Sequence, residues 1–164
     1  MKILVLLLVS MTLLVGCGRP DLNNPDLNNP DNLNMILEKA IVKEKLQKRG
    51  KVDEQLAYVP NDQKPYTGWV KEMYENGQVK VLWQYKNGIV DGLHVTWYEN
   101  GQKDRESNYK EGKKNGLRTM WYENGQKKQE ANWKAGNKHG SDTEWNEDGI
   151  LMRETNWRDG KRVE

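Results

Sequence analysis

Residues 92–115 read GLHVTWYENGQKDRESNYKEGKKN and residues 116–139 read GLRTMWYENGQKKQEANWKAGNKH. The two stretches align without a gap, and the alignment extends in both directions. From Tyr66 onward there are twelve glycines, and all of them fall on three registers spaced by 24 residues. Gly68, Gly92, Gly116 and Gly140 form one register, Gly77, Gly101, Gly125 and Gly149 the second, and Gly88, Gly112, Gly136 and Gly160 the third. The aromatics keep the same lattice: Met73, Trp97, Trp121 and Trp145 correspond, then Tyr74, Tyr98, Tyr122 and Asn146, then Tyr85, Tyr109, Trp133 and Trp157. A fixed period of this kind is the signature of a repeat architecture. The units run 68–91, 92–115, 116–139 and 140–163.

Each unit reads as a β-hairpin. Leu93–Tyr98 is rich in β-branched and aromatic residues and predicts a first strand, and Lys103–Lys110 predicts a second. Glu99-Asn100-Gly101-Gln102 lies between them, and Asn-Gly is the strongest short hairpin signal because both residues tolerate positive φ. Alternation along strand one puts Leu93, Val95 and Trp97 on one side. Along strand two it groups Ser107 with Tyr109, Ala131 with Trp133 and Thr155 with Trp157, opposite Glu106, Glu130 and Glu154. The expectation is one face of stacked aromatics and one polar face. The repeat residues carrying the structure are then Gly77, Gly101, Gly125, Gly149, Trp97, Trp121, Trp145, Tyr109, Trp133 and Trp157.

Composition agrees with a thin fold. Charged residues make up 30% of the 164, the hydrophobic set 35%, and there is no Phe beside seven Trp and seven Tyr. A thick two-layer core needs more Leu, Ile, Val and Phe. The predicted fold class is all-β: tandem 24-residue hairpins forming an elongated, mostly single-layer antiparallel sheet preceded by a short helix. Net charge is +2, from 26 basic and 24 acidic residues, which gives no footprint for nucleic acid. One Cys and two His exclude a disulfide framework and leave too few ligands for Cys/His zinc sites. His94 and His139 occupy different repeat positions, no nucleophile–base pair emerges, and the glycines are turn glycines without a phosphate-loop context. No catalytic residue, cofactor or metal is therefore expected, and the chain reads as a non-enzyme.

Upstream of the array, Met1-Lys2 is followed by an apolar run, Ile3 to Val9 and Met11 to Val15, with the length and charge order of a signal peptide over residues 1–16. Leu14-Val15-Gly16-Cys17 resembles the bacterial lipobox. That resemblance implies cleavage after Gly16 and a diacylglyceryl group on Cys17, with a further acyl chain (such as palmitate) on the new amino terminus, anchoring the protein in the cell envelope. With Gly18 rather than Asp after the Cys, the destination in a Gram-negative cell is the outer membrane. Asp21-Leu22-Asn23-Asn24-Pro25 repeats as Asp26–Pro30, and a third, altered copy begins at Asp31, so residues 17–34 read as a tether. Residues 35–51, MILEKAIVKEKLQKRGK, predict a basic amphipathic helix with Asn34 as N-cap. Its stripe of Met35, Leu37, Ile41, Val42 and Leu46 is suited to cover an exposed sheet end; the other reading is contact with anionic lipid beside the anchor. Residues 52–67 lead into the array.

The units G-L-x-x-x-W-Y-E-N-G-Q-K, followed by Y/W-K-x-G-K-x-x-G, resemble the MORN repeat variant. The lead-in Pro65-Tyr66-Thr67-Gly68 is similar to that of bacterial members, many of which carry the label of antitoxin component in toxin–antitoxin systems. The resemblance implies an array of hairpins. An exported lipoprotein does not readily meet a cytoplasmic toxin, so the expected function is an envelope scaffold for a protein partner. The alternative is a cell-wall or glycan binder using exposed aromatics.

Overall fold

A computed structural model describes residues 21, 25–51 and 54–163. The signal peptide and Cys17 lie outside these. One helix, α1 (Pro30–Lys39), precedes twelve strands: β1 (Ile41–Val42), β2 (Gln47–Arg49), β3 (Leu56–Tyr58), β4 (Gly68–Met73), β5 (Val79–Lys86), β6 (Ile89–Trp97), β7 (Lys103–Lys110), β8 (Lys113–Trp121), β9 (Lys127–Lys134), β10 (Asn137–Trp145), β11 (Leu151–Arg158) and β12 (Lys161–Val163). Ten of them form one sheet in the order β1-β4-β5-β6-β7-β8-β9-β10-β11-β12, with β2 and β3 as a separate pair. From β4 onward every neighbour is antiparallel and consecutive in sequence, as the hairpin repeat requires.

Two kinds of turn alternate. Between units, Asn87-Gly88, Glu111-Gly112, Ala135-Gly136 and Asp159-Gly160 all have positive φ at both residues, the I′ geometry that matches strand twist. Within units the Asn-Gly turn is different. Gly101 has φ 85° and Asn100 is not in the left-handed region. The Gly101 N–H closes the turn on the Tyr98 carbonyl, and the pairing slips by one residue, with Trp97 opposite Lys103. Gly77, Gly125 and Gly149 do the same. Asn100 contributes its side chain, accepting from the Gln102 N–H at 2.9 Å. A second irregularity recurs once per unit, at Gly92, Gly116 and Gly140, where the strand carries extra residues relative to the preceding one.

The pairing register corrects the expected faces. Residues directly opposite each other project to the same side. Val95 pairs with Leu82 and Glu106, whereas His94 pairs with Trp83 and Ser107. Trp97, Trp121 and Trp145 therefore share one side with Glu106, Glu130 and Glu154, and Tyr109, Trp133 and Trp157 occupy the other. The sheet has two mixed faces, each with its own aromatic row, and not one aromatic face and one polar face.

The helix also differs from the expected 35–51. It starts at Pro30, because Asn29 is the N-cap, accepting from Asp31 and Asn32, and proline is preorganised for the first helical position. The third copy of the Asn/Pro motif is thus helix and not tether. It ends at Lys39, where Ala40 turns extended and the β-branched pair Ile41-Val42 joins the open edge of β4 in parallel, opposite Val70 and Lys71. Helix and strand together cover one end of the sheet. Leu27, Ile36 and Ala40 pack on Trp69, Leu82, Leu93, Val95 and Trp97 in the main cluster of buried residues. The first two units are two layers thick; beyond them the sheet is single.

Candidate interaction surfaces

Besides the backbone pairing of β5 with β6, β7 with β8 and β9 with β10, side-chain ladders at the turns tie one unit to the next. The hydroxyls of Tyr74, Tyr98 and Tyr122 donate to the carbonyls of Trp97, Trp121 and Trp145, at 2.7, 2.8 and 3.0 Å. The amides of Asn76, Asn100 and Asn124 donate to the carbonyls of Glu99, Glu123 and Glu147. At the other end of the hairpins, Thr67, Asp91, Asn115 and His139 each accept from the backbone N–H at the start of the next inter-unit turn: Asn87, Glu111, Ala135 and Asp159. In the last unit Asn146 replaces the tyrosine and turns its Oδ1 inward to the Asp148 and Ile150 amides, so the ladder stops there. These bonds were legible only as a recurring Tyr-Glu-Asn-Gly. Their role needed the neighbouring turn.

The Trp97 face changes character along the array. Trp97 is 5% exposed beneath Leu27 and α1. Its counterparts Trp121 and Trp145 have no such cover and are half-buried, and Leu117, counterpart of Leu93, is 44% exposed. Lys103 sits 5.8 Å from the Trp121 ring and pairs with Glu106 at 2.6 Å, and Lys127 pairs with Glu130 at 2.7 Å. Glu106 and Glu130 are thus ion-paired with lysines of their own strands. Ile150 and Leu151, both more than half exposed, extend this apolar surface to the start of β11, where Leu151 pairs with Trp145.

The Tyr109 face is built differently. Trp83 stacks on His94 at 5.5 Å and Tyr109 meets the same imidazole edge-on at 5.8 Å. Burial, with Arg105 and Lys114 nearby, pushes the His94 pKa down to about 4, so the ring is neutral at pH 7. Arg118 lies opposite Ser107, and Lys114 opposite Tyr109 with its ammonium 4.4 Å from the Trp133 ring. Desolvation, with the charge of Arg105 close to each, lowers the pKa of both cations. Further along, buried Asp142 accepts from Gln129 at 2.7 Å and pairs with Lys138, and Arg153 pairs with Glu144 at 2.6 Å. His139 lies at the edge, 3.1 Å from Asp159.

Among the described residues, no group of three or more His, Cys, Asp or Glu is arranged to hold a metal ion, and no helix is long and apolar enough to cross a membrane. Neither the curated proteins nor the solved structures yield a match to the chain. Three stretches match the family model for the MORN repeat variant, residues 67–87, 90–111 and 114–135, each ending on the first residue of an inter-unit turn; the similarity covers the first three hairpin units and leaves the fourth outside it.

Proposed function

We propose that this chain is a bacterial envelope lipoprotein, anchored through Cys17, that acts as a non-catalytic scaffold for a protein partner. MORN repeats are generally modules of protein or membrane interaction and not catalytic ones. The observation that carries the reading is the abrupt end of cover on the Trp97 face. The protein's own α1 occupies this face over the first two units, while Leu117, Trp121, Trp145 and Leu151 continue the same rows without a covering layer. A partner element seated there extends an intramolecular interface already in use. The anchor supplies location: two or three acyl chains hold stably where one is marginal, at about 0.8 kcal/mol per buried methylene.

The test has two arms. The full chain expressed in a bacterial host should enter the detergent phase and label with radioactive palmitate, and Cys17→Ala should abolish both; labelling that survives the substitution refutes the anchor. In the second arm the purified protein is mixed with peptidoglycan sacculi. No retention is expected. Retention lost on Trp121→Ala would replace the protein scaffold by a glycan-binding module.

A further inference from the structure

A short run of the chain ahead of α1 already docks on the sheet, and the place where it docks recurs once. Pro25 and Leu27 are buried, and Asp26 between them is exposed. With Asn28 they line a cleft whose other wall is Leu93, Lys103, Glu106 and Asn108, on the Trp97 face. The run satisfies its own polar groups. The Asp26 carboxylate accepts from the Asn28 N–H at 2.9 Å, and the Asp26 carbonyl from the Asn29 N–H at 3.3 Å and the Asn32 amide at 3.1 Å. The ladder bonds of a sheet lie in its plane, so its face receives side chains, here one proline and one leucine.

One repeat further on, the same four sheet residues stand in the same register as Leu117, Lys127, Glu130 and Asn132. Leu117 is opposite Asn132, Glu130 opposite Thr119, and Lys127 opposite Trp121. In the last unit the set is broken, with Ser141 and Leu151 in place of leucine and lysine, and in the first it reads Trp69, Val79, Leu82 and Gln84. The complete set thus occurs twice, once covered and once bare. Leu93 is 7% exposed and Leu117 44%; the Lys103 side chain is 18% exposed and that of Lys127 52%. Lys127 holds Glu130 as Lys103 holds Glu106, so the polar residues of the bare copy are already neutralised and the unmet demand is apolar.

We propose that the bare copy binds a turn segment of a protein partner with the chemistry of Pro25–Asn28: a proline and a leucine two residues apart, on a turn that satisfies its own backbone. The inference rests on the scaffold reading for the existence of a partner and adds what that partner presents. Continuity with the chain's own interface selects this occupant. Leu27 belongs to the buried cluster with Leu93 and Trp97, and their counterparts Leu117 and Trp121 lie about 10 Å along the sheet, two strand spacings away. An inserted leucine there covers Leu117 and Trp121 as Leu27 covers Leu93 and Trp97, and the residue between proline and leucine stays in water, as Asp26 does.

The test is an amide NMR titration of the isotopically labelled full chain with an acetylated, amidated peptide of residues 25–34, up to about 5 mM because a single inserted turn binds weakly. Saturable shifts should be confined to β8 and β9, the Trp121 indole N–H among them. Leu117→Glu, at an exposed position, should weaken binding about tenfold or more, and so should Leu27→Asp in the peptide. Glu111→Gln should leave it unchanged, and the dispersion of each spectrum shows that the variant is folded. The assignment is overturned if the shifts do not saturate, if Leu117→Glu binds like the parent, or if the shifts centre on Leu93 and Trp97, where the peptide would only exchange with the chain's own run. It is also overturned if Leu22→Asp moves the Leu117 and Trp121 signals with no peptide present, which would place the chain's own first Asp-Leu-Asn-Asn-Pro copy there. A protein adduct at Leu117 in cells, beside a peptide that does not bind, would remove this ligand and leave the scaffold standing.

Discussion

Trp97 and Trp121 occupy the same position in successive units and differ in what lies above them, so truncating each to alanine measures the covering layer. Trp97 is 5% exposed and packs in the cluster with Leu27, Ile36, Leu93 and Val95. A tryptophan buries about 200 Å² when enclosed, worth about 5 kcal/mol at 25 cal/mol per Å², and measured large-to-small changes at such sites cost about 3–5 kcal/mol. Trp121 is half-buried, which puts its loss at about 2 kcal/mol on the same arithmetic. Trp97→Ala should therefore cost about 2 kcal/mol more than Trp121→Ala in urea unfolding followed by far-UV circular dichroism. A further substitution, Ile36→Ala, should lose part of its own effect in the Trp97→Ala background, because the two side chains belong to one cluster. Equal losses for the two tryptophans, or a larger one for Trp121, would refute the claim that α1 covers only the first two units.

Tyr98→Phe removes the 2.8 Å bond to the Trp121 carbonyl and should lower stability by about 1 kcal/mol, with faster hydrogen exchange at the turn around Asn124. Ala135 sits at φ 48°, a position that asparagine fills as Asn87 in the first unit; Ala135→Asn should raise the urea midpoint, by up to about 1 kcal/mol. His94 binds its proton less readily folded than unfolded, with a folded pKa of about 4 against an ordinary 6.5. The unfolded state then holds more protons between these values, so stability is full above pH 6.5 and falls by about 2–3 kcal/mol as pH drops toward 4. His94→Gln should flatten that slope, and a parent protein equally stable at pH 7 and pH 4.5 would contradict the burial of the imidazole.

The 24-residue lattice was enough to read the hairpins, because Asn-Gly and its equivalents must turn the chain and aromatic runs must extend it. The faces were not legible. Alternation orders residues within a strand, but the relation between strands depends on where the pairing slips, and the slip beside Gly101 sets Trp97 and Tyr109 on opposite sides. The start of the helix was hidden because Asn29-Pro30 is both a linker motif and an N-cap with its first residue. The cationic cluster was missed for a different reason. Arg118 has Val70, His94 and Asp142 as its counterparts and stands alone in its register, while Arg105, with Val81 and Gln129 in the neighbouring units, recurs only as Arg153 in the last. On a lattice that repeats for structural reasons, the residues that break the repeat mark what is particular to one unit.

The scaffold reading turns on whether the uncovered part of the Trp97 face meets a partner in the cell. A photo-crosslinking amino acid placed in turn at Leu117 and Leu151, and at Glu111 in an exposed inter-unit turn as a control, addresses this in the host envelope. Irradiation should give a discrete protein adduct from Leu117 and Leu151, absent from Glu111 and diminished by Trp121→Ala. Adducts of equal strength from all three positions, or none from Leu117 and Leu151, would contradict it.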